Sequence, residues 1–258
     1  MKLSKLRTLF STVSLLYIFL GAIGYSKDDP TYPFKVGEHL QYDVRFGRIQ
    51  VFVLDFTLLE KVKIDGLDAY HILAELKGSN WYRITFRYSI QDTFHTYVDA
   101  KTLLPIKAES FIREGNASLH VIVNFDQKNG RATMVLQESG KPATERRLRL
   151  SPNTYDWISL AYYVRTQELK DRVKVNVFDG ISKSMTFEVP VRPAETIDVR
   201  GMGRYKAKSV MQKVGRWFDL TSWISEDPNR LVVKTALDAL RLGRLKVNLI
   251  AWLREANI

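Results

Sequence analysis

The chain contains no cysteine. Disulfides, thiolate metal sites, a cysteine nucleophile and a lipid-modified N-terminal cysteine are all excluded, so packing alone must hold the fold together. Acids are in deficit: 28 Asp and Glu face 39 Lys and Arg, a formal charge of +11. No linker rich in Gly, Ser or Pro and no repeat of fixed period divides the chain. Catalytic spacings are missing too. There is no Gly-x-Ser-x-Gly turn, metalloprotease helix, phosphate-cradling loop or dinucleotide fingerprint, Gly201-Met202-Gly203 being too short to count. Ser159 lies close to Asp156, but no histidine is local to them. His39, His71, His95 and His120 fall in separate strand segments without a ligand spacing, and His95 and Asp99 on one strand face would be ~13 Å apart. Neither a metal site nor a cofactor is expected.

What is present begins with an export signature. Lys2, Lys5 and Arg7 precede an apolar run from Leu9 through Ile23, broken only by small hydroxyl residues, and Ala22-Ile23-Gly24 supplies the small residues that a signal peptidase reads. Cleavage after Gly24 is expected, giving a signal peptide over 1–24 and a lead segment over 25–33; an uncleaved anchor is the alternative, the run being barely long enough to span a bilayer. Either way the remainder faces the periplasm and is not membrane-spanning. Removing the three basic residues leaves 11 − 3 = +8, a surplus that attracts anionic surfaces such as phospholipid head groups or acidic polysaccharide. Export argues against nucleic acid as the partner.

Downstream, hydrophobicity alternates with a period of two. Leu40, Tyr42, Val44 and Phe46 share one strand face, whereas Val51-Phe52-Val53-Leu54 is apolar on both faces and must be covered twice. Asp65-Gly66 reads as a tight hairpin turn. Segments 91–98, 104–113, 118–125, 131–136 and 144–150 read as strands with short turns between them, which implies an antiparallel meander. Beyond residue 171 the alternation resumes, with Pro190 and Pro193 expected to place one strand at an edge or to end its ladder. One helix interrupts this pattern near 153–166, with Asn153 as its cap and Trp157, Leu160, Ala161 and Val164 on one face. The expected fold is all-β, mainly antiparallel: a strongly curved sheet or incomplete barrel with one packed helix, forming a single domain over 34–258. A subdomain boundary near 166–171 is the alternative.

Several stretches together resemble a bacterial exported family, the domain of unknown function 3108. They are Phe34-Lys35-Val36-Gly37-Glu38-His39-Leu40-Gln41-Tyr42-Asp43-Val44, Asp99 through Pro105, Ile112-Arg113-Glu114-Gly115, Asp156 through Arg165, and Trp223 through Arg230. The resemblance implies a periplasmic β-rich domain and carries no catalytic residues with it.

Binding candidates come from the residues themselves. Trp81, Tyr82, Arg83, Phe86, Arg87 and Tyr88 form an aromatic and basic segment without a clean period, either a short helix or a covering loop. Such rings stack on sugars or lie at membrane interfaces, and arginines pair with phosphate or carboxylate. Tyr162, Tyr163 and Arg165 are candidates for the mouth of the sheet's concavity. The expected function is non-catalytic binding of an apolar or amphipathic ligand or an envelope polymer, with lipid, glycan or another envelope protein as partner. An envelope hydrolase using paired carboxylates among Asp92, Asp99, Glu109 and Glu114, and a docking protein using a sheet edge, are the alternatives.

Overall fold

A computed structural model describes residues 32–214, 218–242 and 245–258; the expected signal peptide lies outside them. Among the described residues one sheet of 15 strands predominates. Its first half comprises β1 (His39–Phe46), β2 (Ile49–Ile64), β3 (Leu67–Gly78), β4 (Gln91–Asp99), β5 (Pro105–Glu114), β6 (Ala117–Asp126), β7 (Arg131–Glu138) and β8 (Thr144–Arg149). The second half comprises β9 (Thr154–Tyr155), β10 (Arg172–Phe178), β11 (Ser184–Val199), β12 (Gly203–Val214), β13 (Phe218–Ser225), β14 (Val232–Leu242) and β15 (Leu245–Asn257).

The spatial order is β8-β7-β6-β5-β4-β3-β2-β1-β15-β14-β13-β12-β11-β10-β9. First and last strands therefore pair, Val44 opposite Ala251, and the two halves of the chain wind outward from this central seam. Every neighbouring pair is antiparallel except β9 with β10, which is parallel. Only residues 150–153 join the two outermost strands, a length that reaches ~17 Å when extended. The sheet must therefore curl until its edges almost meet, yet it does not close into a barrel. A small cluster containing Val121, Phe125, Met134, Leu150 and Phe178 fills the gap between the edges.

Local chemistry accounts for most boundaries. Asp65 and Gly66 take positive φ at the β2–β3 turn, as a tight hairpin requires. β11 changes partner midway, pairing with β10 through Pro190 and with β12 from Val191 onward. Pro190 and Pro193 sit at this handover, where a missing N–H costs no ladder bond.

Among the described residues there are two helices, not one: α1 (Asn80–Phe86) and α2 (Trp157–Arg165). The sequence placed the start of α2 three residues early. Asn153 adopts φ 52°, and Thr154-Tyr155 is taken up by β9 opposite Asn176 and Val177. Asp156 is the cap instead: its carboxylate accepts from the Ser159 N–H at 2.7 Å while the Ser159 hydroxyl accepts from the Asp156 N–H at 3.0 Å. This reciprocal box satisfies two amides that would otherwise be buried without partners. α2 is buried nearly all round, including Ile158, Leu160, Tyr162, Val164 and Arg165, because it plugs the concave side of the sheet. Trp157 is half-buried, its ring edge-on to Phe94 at 5.3 Å and to Phe56 at 6.0 Å.

Candidate binding surface

The sequence candidates separate into two groups at opposite ends of β1. Tyr162, Tyr163 and Arg165 belong to the end where β1 starts. Arg165 is 2% exposed and Glu38 is fully buried, and the guanidinium holds both Glu38 carboxylate oxygens while donating to the carbonyls of Pro33 and Asn229. Phe34 and Tyr162 lie against it, with ring centroids 5.4 and 5.5 Å from its central carbon. Tyr163 stacks on Tyr155 at 4.2 Å. Arg165 and Tyr162 are buried, and a bidentate ion pair deep in the core leaves Arg165 no donor directed at solvent; Tyr163 is half-buried.

Between α2, the β10–β11 turn and β4–β6 there remains an apolar cleft of about 70 Å³, lined by Phe94, Ala108, Ile112, Val123, Trp157 and Phe178 among others. Drug-sized ligands occupy cavities of roughly 300–1,000 Å³, so this cleft has room for only a small group.

Trp81, Tyr82, Arg83, Phe86 and Arg87 do come together, at the other end of β1, about 26 Å away at strand rise. Ser79 starts α1 by accepting from the Tyr82 N–H, and its own N–H and hydroxyl donate to the carbonyls of Val51 and Gln50. These bonds moor the helix beside the β1–β2 turn, where Phe46 and Ile49 pair across the two strands. α1 buries none of its residues. Ile84 is 72% exposed and Phe86 57%, with Phe46, Trp81 and Ile49 also open to solvent. Phe86 packs on Tyr82 at 4.9 Å and edge-on to Trp81 at 5.8 Å. Arg48, Arg83 and Arg87 are exposed among them. Residues 44–54 and 76–91 contain no Asp or Glu; Arg45 and Lys77 pair with Asp43 and Glu75 just outside these stretches, while Arg48, Arg83 and Arg87 stand exposed beside the apolar rings.

Beneath α1 lies a carboxyl pair drawn from the four that the sequence put forward, although no spacing distinguished these two from Asp99 and Glu109. Asp92 and Glu114 are each 1% exposed. Burial pushes Asp92 up to about 7, against the bond it accepts from the Arg113 N–H; burial, then the neighbouring Asp92 charge, pushes Glu114 up to about 8. The Tyr88 hydroxyl donates to Glu114 Oε2 at 3.3 Å, and Glu114 Oε1 has no partner. This pair is the one convergence among the four carboxylates considered; Asp99 instead caps its own turn, accepting from the N–H groups of Lys101 and Thr102.

On the outer face His71 Nε2 and His95 Nδ1 are 3.0 Å apart, and Glu60 stands 3.5 Å behind His71 Nδ1. Their ring centroids are 5.2 Å apart, so the rings point straight at each other as in a hydrogen bond and do not converge on a third point. Among the described residues no three His, Asp or Glu side chains gather as a metal-ligand set. Among them also, no helix is long and apolar enough to cross a membrane.

The model of the protein family of unknown function DUF3108 matches residues 41–248. The chain belongs to the DUF3108 family. Among solved structures it is similar to a β-barrel-like protein of the domain of unknown function DUF1849 from Brucella abortus, with 9% identity, TM-score 0.51, and coverage of 86% of this chain and 98% of that one. That likeness shows the fold. Lower similarity, TM-score 0.37 in both cases, links it to a protein assigned as exported with a YmcC-like fold from Bacteroides fragilis (7% identity; 88% and 98% covered) and to one assigned as a lipoprotein from Parabacteroides distasonis (11%; 89% and 100%). A search of curated proteins returns no match.

Proposed function

We propose that this DUF3108 protein is a non-catalytic envelope protein of the periplasm that docks on an anionic lipid surface through its aromatic and arginine-bearing end. The observation that carries this reading is the joint exposure of Trp81, Ile84, Phe86, Phe46 and Ile49 beside Arg48, Arg83 and Arg87 in stretches without a single acid. Rings and aliphatic side chains enter the head-group boundary, and each basic residue near an anionic leaflet adds about 1 kcal/mol. The basic, then apolar N-terminal segment supports a location beside such a surface. Binding in the cleft beside α2 has less support, because that cleft is small. A carboxylate-based hydrolase has less support as well, since Asp92 and Glu114 are sealed from solvent.

Flotation with vesicles tests the proposal. Protein lacking residues 1–24 should float with phosphatidylglycerol-containing vesicles and remain behind with pure phosphatidylcholine. Replacing both Arg83 and Arg87 by Gln should weaken binding by roughly 30-fold, from two lost contributions of about 1 kcal/mol each. Equal partition onto both vesicle types, or onto neither, refutes the proposal.

A further inference from the structure

The carboxyl pair under α1 has no role in lipid contact itself, but it lies where it can govern the element that makes that contact. Asp92 on β4 and Glu114 on β5 are near-diagonal neighbours of one sheet face, Thr93 standing opposite Phe111 and Ile90 bridging to Glu114. The groups that face them are Tyr88 and Tyr82 from the segment above, and from β5 only the Arg113 backbone N–H. No cation is among them. Two ionised carboxylates in such a place would repel each other in a poorly solvated site, each without a counter-charge.

The segment above is fastened directly over the pair. Tyr88 bonds Glu114, and its ring lies so close to Gly115 that a Cβ there would stand 2.6 Å from it. The Ser89 carbonyl accepts from the Gly115 N–H at 2.8 Å, and the Ile90 carbonyl accepts from the Gly78 N–H at 2.9 Å. Tyr82 packs on Phe52 at 5.0 Å. Hydrating the carboxyls therefore requires residues 79–90 to lift.

We propose that Asp92 and Glu114 form a proton-operated latch, which holds residues 79–90 on the sheet while the pair keeps its protons and releases them when both carboxyls ionise. For its consequence, pH control over the docking end, the latch rests on the lipid reading; its mechanics do not. Each carboxyl gives its proton to water, and water enters as Tyr88 leaves Glu114.

Trypsin reads the latch without lipid, because Arg83 and Arg87 lie within the segment. Cleavage there is followed at about pH 6 and about pH 9 and normalised to a free peptide of residues 79–90, with an expected rise on the order of tenfold in the natural protein and none in Glu114→Gln or Asp92→Asn, each of which keeps only one ionisable carboxyl. A flat natural protein, or variants that rise as it does, overturns the latch. Carboxyl ¹³C titration of the natural protein tests it without substitution: both resonances should move near neutrality, and midpoints below about 5 overturn it. A protein that shows the tryptic response yet binds no vesicle at either pH loses the lipid reading and keeps the latch.

Discussion

Arg165 Nη1 and Nη2 hold the two carboxylate oxygens of Glu38 at 2.6 and 2.7 Å across 127 residues of chain. Through this pair the last turn of α2 is tied to the residue before β1, and through the Asn229 carbonyl to the loop between β13 and β14. The lead segment, the plug helix and the second half of the sheet thus meet at one guanidinium. Short distances, bidentate geometry and further carbonyl acceptors are what allow a charge to be buried here.

Breaking the pair on one side should be costly. Glu38→Gln or Arg165→Met leaves an uncompensated or poorly solvated partner in the core, and a loss of about 3–5 kcal/mol in unfolding free energy is expected. The double variant Glu38→Gln/Arg165→Met should be less destabilised than the sum of the singles. Urea denaturation of all four proteins measures this; additive losses would show that the pair is not coupled.

Trp157→Ala tests the plug. The ring contacts Phe56 and Phe94 from α2 but is not fully buried, so a loss of about 3 kcal/mol, the low end for a core aromatic, is expected in the same assay. An unchanged midpoint would mean that α2 does not organise the sheet.

Stability should fall as pH rises. Asp92 and Glu114 have folded-state values raised to about 7 and about 8, above those of the unfolded chain, so the folded state binds more protons through that interval. Their contribution is present below the unfolded values near 4 and is lost progressively up to pH 8, at up to about 1.4 kcal/mol per pH unit for each carboxyl. Denaturation midpoints measured from pH 5 to 8.5 should decline in the natural protein and decline less in Asp92→Asn/Glu114→Gln.

His95 has the opposite sign. Burial, then the adjoining His71, lowers its value, so the folded state favours the neutral ring. Its stabilising effect is complete above the unfolded value of about 6.5 and is lost as pH falls below it. In ¹H–¹⁵N spectra its ring should titrate below 6.5, and His71→Phe should move that midpoint upward; a midpoint at or above 6.5 would contradict the part-buried contact with His71.

Period-two alternation made nearly every strand legible, because a half-buried strand must alternate whatever it pairs with. The handover at Pro190 and Pro193 was legible for the same local reason: a residue without an N–H marks the ladder's weak point. Asn153 shows the limit of such signals. It is an acceptable cap by composition, but Thr154-Tyr155 pairs with β10, 22 residues onward, and that tertiary contact moves the helix start to Asp156.

The candidate site divides along the same line. The amino-acid sequence by itself determined a β protein without disulfides, the strand periodicity, and a cluster of rings and arginines at 81–88, since each follows from composition or from near neighbours. Only the tertiary structure decided that Arg165 is locked in the core while Arg83 and Arg87 face solvent. It alone placed Asp92 beside Glu114 and His71 beside His95. Side chains on adjacent strands meet by register, and register depends on turns and bulges summed over the whole sheet, which no local spacing encodes.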